Sequence, residues 1–153
     1  MLISFNTPLP NVAWKAFPSI FCGNGSVLKP SEHAPLSAWW LGRLCLEAGL
    51  PPGVLNVVQG LGLEAGMPLV EDPRVDLVSF TGSAATGRLI AEAAGRRLAK
   101  TVMELGGKNA LVVCDDADLA FVLKMAVPAK YRNAGQVCAS PIRFFVARAL
   151  HDR

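Results

Sequence analysis

The sequence predicts an α/β fold with a largely parallel sheet, and two observations carry that prediction. Short runs of β-type residues alternate with amphipathic helical stretches along most of the 153 residues, a pitch that implies strand–helix–strand units. Apolar residues make up 52% of the chain, ample for a buried core at the size of one ordinary domain.

The elements follow in order. Residues 2–5 (LISF) read as a strand stub before a turn, and residues 14–22 as a helix that Pro18 disturbs. Residues 26–29 form a short strand, stopped by Pro30, which cannot continue a ladder. Between 35 and 48 the spacing of Leu36, Trp39, Trp40 and Leu44 fits one helix face, ended by Gly49 as a C-cap. Pro51-Pro52-Gly53 turns the chain into a second strand at 54–58. A short helix over 65–70 leads to a third strand at 75–80, and Gly82-Ser83 opens a helix running to Arg97. Strands at 101–105 and 110–113 come next. Asp115-Asp116 stands where an N-cap belongs, before a long helix reaching Lys130, and 142–146 closes as a strand. After Leu105-Gly106-Gly107 the regular alternation gives way to a strand, a long helix and a polar turn. That shift places a domain boundary near residues 105–108.

Composition excludes several classes. The net charge of +3 comes from 15 basic and 12 acidic residues without any basic tract, so nucleic acid has no electrostatic footprint to follow. No apolar run reaches the length of a membrane-spanning helix. The N-terminus lacks the basic and small-residue marks of a secretory signal. Cys22, Cys45, Cys114 and Cys138 show no paired spacing, which argues against a metal site or disulfide framework and for reduced thiols in the cytoplasm.

Several stretches carry chemistry. Gly60-Leu61-Gly62 with Gly66 follows a strand and resembles a dinucleotide fingerprint with one residue too many; glycines there also serve as plain turn formers. Phe80-Thr81-Gly82-Ser83, followed by Gly87, sits at a strand-to-helix junction, where free N–H groups and the helix dipole favour an anion such as a pyrophosphate. Ser83 can donate to that phosphate or simply cap the helix. Lys29-Pro30-Ser31-Glu32 lies at the carboxyl end of a strand, where open α/β sheets bind ligands. Lys29 and Glu32 suit ribose hydroxyls, and a capping box explains the same residues equally well. Three of the cysteines lie on helix faces or end an apolar strand and read as small buried hydrophobes. Cys138 differs, because the polar, small-residue turn 133–140 can expose a thiol beside unpaired backbone N–H groups, as a nucleophile requires; a chance loop cysteine explains the same position equally well. Glu104 closes an apolar strand; a buried carboxyl with a raised pKa makes a general base, and pairing with Lys108 is the alternative.

In their order these stretches resemble the aldehyde dehydrogenase superfamily along essentially the whole chain. The family's glutamate motif, ELGGK, stands at 104–108, and its cysteine motif, GQVC, at 135–138. Glu104 and Cys138 lie 34 positions apart, the family's usual interval. FTGS with a later glycine, KPSE, and LEAGLPPGVLNVV (residues 46–58) appear in family order. The match extends to Asn6. The family carries an asparagine after an aromatic residue, usually in a Pro-Trp-Asn setting, and here the run is Ser4-Phe5-Asn6-Thr7-Pro8.

The resemblance implies a Rossmann-like parallel sheet of the family's NAD(P)-binding domain over 1–105 and the start of its α/β catalytic domain over 106–153. It implies NAD(P)-dependent oxidation of an aldehyde, with Cys138 as nucleophile, Asn6 and the Cys138 N–H holding the oxyanion, and Glu104 activating water. Lys29 and Glu32 would hold the adenosine ribose and Gly82-Ser83 the pyrophosphate. Gly62 and Leu105 complete the cofactor-binding set, and Lys108 supports the glutamate. Glu32 favours NAD over NADP, since a carboxylate meets a 2′-hydroxyl and repels a 2′-phosphate. The stretch from Tyr131 to Pro141 resembles the semialdehyde branch, with Arg132 or Arg143 as the partner of a substrate carboxylate.

Family chains are much longer and form homo-oligomers, so this chain is expected to lack segments on both sides. Strands those segments would cover are expected to stand as exposed edges. The isolated chain is then expected to be aggregation-prone or partner-dependent, and weakly active at best. A non-catalytic remnant that binds cofactor or a subunit is the alternative from another class. A cysteine hydrolase acting through Cys138 and Glu104 is a third, and it leaves the glycine motifs idle.

Overall fold

The computed structural model describes residues 1–152. It divides into two compact units, Met1–Leu105 and Gly106–Arg153. In the first, the chain runs α1 (Pro8–Phe21), β1 (Ser26–Leu28), α2 (Leu36–Glu47), β2 (Leu55–Val57), a π-helical turn (Gly62–Gly66), α3 (Met67–Glu71), β3 (Leu77–Gly82), α4 (Ala84–Gly95) and β4 (Lys100–Leu105). β1 pairs in parallel with β2, Ser26 opposite Leu55, and β3 with β4, Leu77 opposite Lys100.

Residues 1–3 stitch the two pairs together. The Leu2 N–H donates to the Ser79 carbonyl at 2.8 Å and the Thr81 N–H to the Leu2 carbonyl at 2.9 Å. On the other side the Ile3 N–H donates to the Lys29 carbonyl at 3.2 Å and the Lys29 N–H to the Met1 carbonyl at 2.8 Å. The expected strand stub is therefore the middle of a parallel array ordered β2, β1, residues 1–3, β3, β4.

Alternation along the strands gives this array two apolar faces. Leu2, Val78 and Phe80 pack with Val70 of α3 and with Ile90 and Ala94 of α4. Ile3, Leu28 and Leu55 pack with Val12 and Ala16 of α1 and Ala38 of α2. Helices thus cover both faces, as an α/β layer architecture requires. Leu28 and Val12 are wholly buried, each contributing about 1.5–3 kcal/mol by leaving water.

Two helices differ from their sequence reading. α1 begins at Pro8, well before residue 14, because prolines in a first turn forgo N–H groups that have no helical partner there. In α2, Leu36, Trp39, Trp40 and Leu44 are exposed, Trp40 by 55%. The face against the sheet is Ala38, with Leu41 and Cys45 beside it. A Cβ on Gly42 would stand 3.0 Å from Val57 Cγ2, so small residues set the close approach and the bulky ones point outward. Trp39 and Trp40 pack edge to face on each other, with Arg43 over the Trp39 ring.

The second unit holds β5 (Ala110–Val113), α5 (Leu119–Tyr131), a tight turn (Arg132–Gly135), β6 (Arg143–Val146) and a final turn (Arg148–Leu150). β5 and β6 pair in parallel, Ala110 opposite Arg143. The N-cap of α5 is Asp118, whose carboxylate accepts from the Ala120 N–H at 2.9 Å. Asp115 and Asp116 instead lie in a turn that the Ala117 N–H closes onto the Cys114 carbonyl. The expectation of three buried cysteines also needs correction: Cys22 and Cys114 are exposed and Cys45 is half-buried. Cys22 and Cys114 each stand one residue past an element, where the chain turns toward solvent.

Candidate active site

Parallel register brings the polar groups of the first unit to one edge. Thr81 lies opposite Glu104 and Gly82 opposite Leu105 at the carboxyl ends of β3 and β4. Lys29 follows β1, and Asn6 follows the middle strand. Open α/β sheets take their ligands at this edge.

The sheet's two faces separate these residues. Leu105 packs into the core under α3 and α4, and a Cβ on Gly87 of α4 would meet its Cδ2 at 2.6 Å. Its neighbour Glu104 takes the opposite face by alternation, the face of Ser79 and Thr81. On that side Lys15 of α1 donates to Ser79 Oγ at 2.6 Å. Burial pushes the Lys15 ammonium below its ordinary pKa, and the nearby Glu104 charge acts against that shift. Glu104 itself is exposed, so a base built by burial is not what the structure contains. Lys15 was not among the sequence candidates. Its signal was a cation one residue from Ala16 on the buried side of an amphipathic helix.

Lys29 is 5% exposed, and its ammonium meets Glu32 Oε2 at 3.2 Å. The Glu32 backbone N–H and then Lys29 hold that carboxyl below its ordinary pKa. The capping-box alternative fails here, since α2 starts only at Leu36 behind Pro35. At Gly82 a Cβ would collide with the Phe80 ring, which explains a glycine before α4. Ser83 caps that helix, accepting from the Thr86 N–H at 3.1 Å and donating to Thr86 Oγ1 at 3.0 Å. Thr81 Oγ1 is buried without a hydrogen-bond partner. Gly60, at φ +142°, bends the chain after β2, and Gly62 stands in open space. A Cβ on Gly66 would stand 3.8 Å from Lys29 Cδ. An ammonium, a helix N-terminus and a buried orphan hydroxyl at one edge are the donors that ribose and pyrophosphate oxygens need.

At Asn6, the Ser4 hydroxyl donates to Oδ1 at 2.7 Å. Ser4 Oγ in turn accepts from Asn11 Nδ2 at 3.0 Å.

The second unit carries Cys138, its thiol exposed. Three consecutive left-handed residues precede it: Asn133 at φ +52°, Ala134 at +55° and Gly135 at +76°. Such a conformation costs about 1–2 kcal/mol per non-glycine residue and tends to collect at functional sites. Hydrogen bonds hold the turn in place. The Asn109 side-chain amide donates to the Cys138 carbonyl and, at 3.5 Å, to the Ser140 carbonyl. Buried Ser140 donates from Oγ to the Lys130 carbonyl at 3.1 Å. Asn109 also escaped the sequence reading, because a polar residue after Gly-Gly-Lys looks like ordinary loop. Arg143 donates twice to the Lys108 carbonyl, at 3.1 and 2.8 Å. Arg132 and Arg143 are both exposed.

The first unit offers a parallel α/β sheet with its polar residues at the carboxyl edge, and the second an exposed cysteine in a strained turn, the parts of an enzyme class that presents small molecules to a thiol. The chain belongs to the aldehyde dehydrogenase family, whose model matches residues 1–153. It is 44% identical to betaine aldehyde dehydrogenase 2 of Rhizobium meliloti over 97% of this chain and 31% of that protein. The crystal structure of betaine aldehyde dehydrogenase from Staphylococcus aureus, in complex with NAD+, superposes with a TM-score of 0.95 at 37% identity. That match covers 99% of this chain and 30% of the other. Succinate-semialdehyde dehydrogenase from Burkholderia pseudomallei superposes equally well, with a TM-score of 0.95 at 39% identity, over 99% and 31%. The chain therefore spans about a third of the length of the relatives it matches.

Proposed function

We propose that the chain is the cofactor-binding and nucleophile-bearing portion of an NAD-dependent dehydrogenase that oxidises an aldehyde to a carboxylic acid. The first unit binds the cofactor and the second begins the catalytic domain. The observation that carries this reading is the set of donors at one sheet edge: Lys29, the Ser83 end of α4, and the unpartnered Thr81 hydroxyl.

Lys29 and Glu32 would hold the adenosine ribose, Gly82 and Ser83 the pyrophosphate, and Gly62 and Leu105 the flanks of the cofactor. The ionised Glu32 favours NAD over NADP by repelling a 2′-phosphate. NAD, when bound, supplies the hydride acceptor that turns a thiohemiacetal into a thioester. The Cys138 thiolate attacks the aldehyde carbon, and the Asn6 amide and the Cys138 N–H stabilise the oxyanion that forms. Glu104 takes a proton from the water that hydrolyses the thioester.

A carboxylate-bearing aldehyde is the substrate class that exposed Arg132 or Arg143 supports. Equal turnover of succinate semialdehyde and a neutral aliphatic aldehyde would remove that refinement.

The test is NAD titration followed by NADH production with a panel of aldehydes. Cys138→Ala is expected to lower turnover by at least about 10³-fold while NAD binding persists. NAD binding without turnover in the parent chain would replace this reading with a cofactor-binding remnant. Ester turnover that needs no NAD would replace it with a hydrolase.

A further inference from the structure

The run before Asn6 departs from the family's Pro-Trp-Asn setting by placing a serine two residues ahead of the asparagine. That serine has a partner on each side. Its hydroxyl donates to Asn6 Oδ1 at 2.7 Å and accepts from Asn11 Nδ2 at 3.0 Å. The same Nδ2 donates to Thr7 Oγ1 at 2.8 Å. Both hydrogens of one amide are thus spent on the hydroxyls of Ser4 and Thr7, which flank Asn6 in sequence. Asn11 is itself buried, in the first turns of α1, and its backbone N–H is bonded to the Thr7 carbonyl at 3.1 Å. A proline at position 4 would offer no such hydroxyl.

The polarity of this chain of hydrogen bonds is fixed by counting hydrogens. A hydroxyl carries one hydrogen. Because Asn11 donates to Ser4, that single hydrogen goes to Asn6 Oδ1. The carbonyl end of the Asn6 amide is then committed to Ser4, and the NH2 end lies on the other side of the amide. An oxyanion requires that end, since a carbonyl turned toward it would repel the developing charge. Burial makes the arrangement firm, because losing one partner would leave the Asn11 donor unsatisfied in the interior.

We propose that Asn11 and Ser4 are positioning residues that orient the Asn6 amide as a hydrogen-bond donor. The proposal rests on the reading of Asn6 as an oxyanion donor and supplies what sets its orientation. The hydroxyl at position 4 does by hydrogen bonding what a rigid proline cannot do in this way.

The experiment uses the full chain carrying 15N-labelled asparagine, with the Asn6 side-chain signals assigned by their loss in Asn6→Ala. Ser4→Ala and Asn11→Asp should each shift the Asn6 NH2 pair and speed its hydrogen exchange, and Ser4→Thr should restore the parent signals. Asn11→Asp keeps the side-chain size but accepts where asparagine donates, so it draws the serine hydrogen away from Asn6. A general packing role for Asn11 would not produce that reversal. Unshifted Asn6 signals in both Ser4→Ala and Asn11→Asp would overturn the relay, whatever the turnover. In NADH formation the same two variants should lose about tenfold in kcat with aldehyde KM held within about twofold. If Asn6→Ala leaves kcat unchanged, the oxyanion reading fails, and with it the catalytic meaning of the relay. The NH2 spectrum reports the hydrogen bonds independently of that result.

Discussion

The two units position their candidate residues by different physical means. In Met1–Leu105, both apolar clusters of the described residues sit above and below the sheet, and each strand end is set by packing on both faces. Lys29, Glu104 and Leu105 stand where the register puts them. Among the described residues of Gly106–Arg153, the buried apolar side chains are Val113, Ala126, Pro141 and Leu150. Phe121, Leu123, Met125, Val127, Phe144 and Phe145 are exposed. Cys138 is held instead by polar ties from Asn109 and Ser140 to backbone carbonyls. The pair shows that a site residue can be fixed by a core or by a few hydrogen bonds. The second kind depends on single partners rather than on many small contacts.

The largest effect that would break this contrast is a core deletion. Leu28→Ala removes a wholly buried side chain shared by α1, α2 and the sheet and should cost about 3 kcal/mol, read as the shift of a urea midpoint. Leu123→Ala in α5, where the side chain is 63% exposed, should change stability by less than about 0.5 kcal/mol. Comparable losses from both would mean that the second unit has a core of its own.

A slightly smaller effect lies in pH. Desolvation first, and the Lys15 charge second, lower the Met1 α-ammonium from its ordinary 8.0 to about 6. Its N–H meets the Val27 carbonyl at 2.6 Å, within the first unit's sheet. Between those values the unfolded chain binds more protons than the folded one, so stability should rise with pH from 6 to 8. Below pH 6 the full cost, about 2–3 kcal/mol, is present. Urea midpoints at pH 6 and 8 measure the difference. Acetylating the N-terminus should flatten it, and an unchanged slope would place the titration elsewhere.

Much of the first unit could be read from the chain because its signals are local: β-type runs, Pro30 and Gly49 as stops, and Ser83 at a helix start. The face of α2 is not legible from bulk, since its large side chains point outward. Close packing against β2 instead selects Ala38 and Gly42, which a hydrophobic pattern scarcely registers. The nearness of Lys15 to Ser79 spans 64 positions, and no periodicity encodes a contact of that range. Asp118 lost the N-cap reading to Asp115-Asp116 because three acidic residues compete within four positions. Only the turn closed by Ala117 decides among them.

That cap gives the smallest effect and the finest test of the contrast. Ser83 and Asp118 do the same work at two helices, each accepting from backbone N–H groups of the first turn. Replacing either by alanine should cost about 1 kcal/mol locally. The consequences should differ, because α4 is packed by Ile90 and Ala94 into a core cluster, whereas α5 buries only Ala126. Ser83→Ala should therefore lower the unfolding midpoint of the whole first unit, with its amide protection falling uniformly. Asp118→Ala should raise hydrogen exchange in α5 more than elsewhere in the second unit, since Ala126 is the one buried residue of that helix. A helix that relies on its own cap has no core to share the loss. Uniform loss of protection from Asp118→Ala would show α5 to be as well anchored as α4, and the two units would then be stabilised alike.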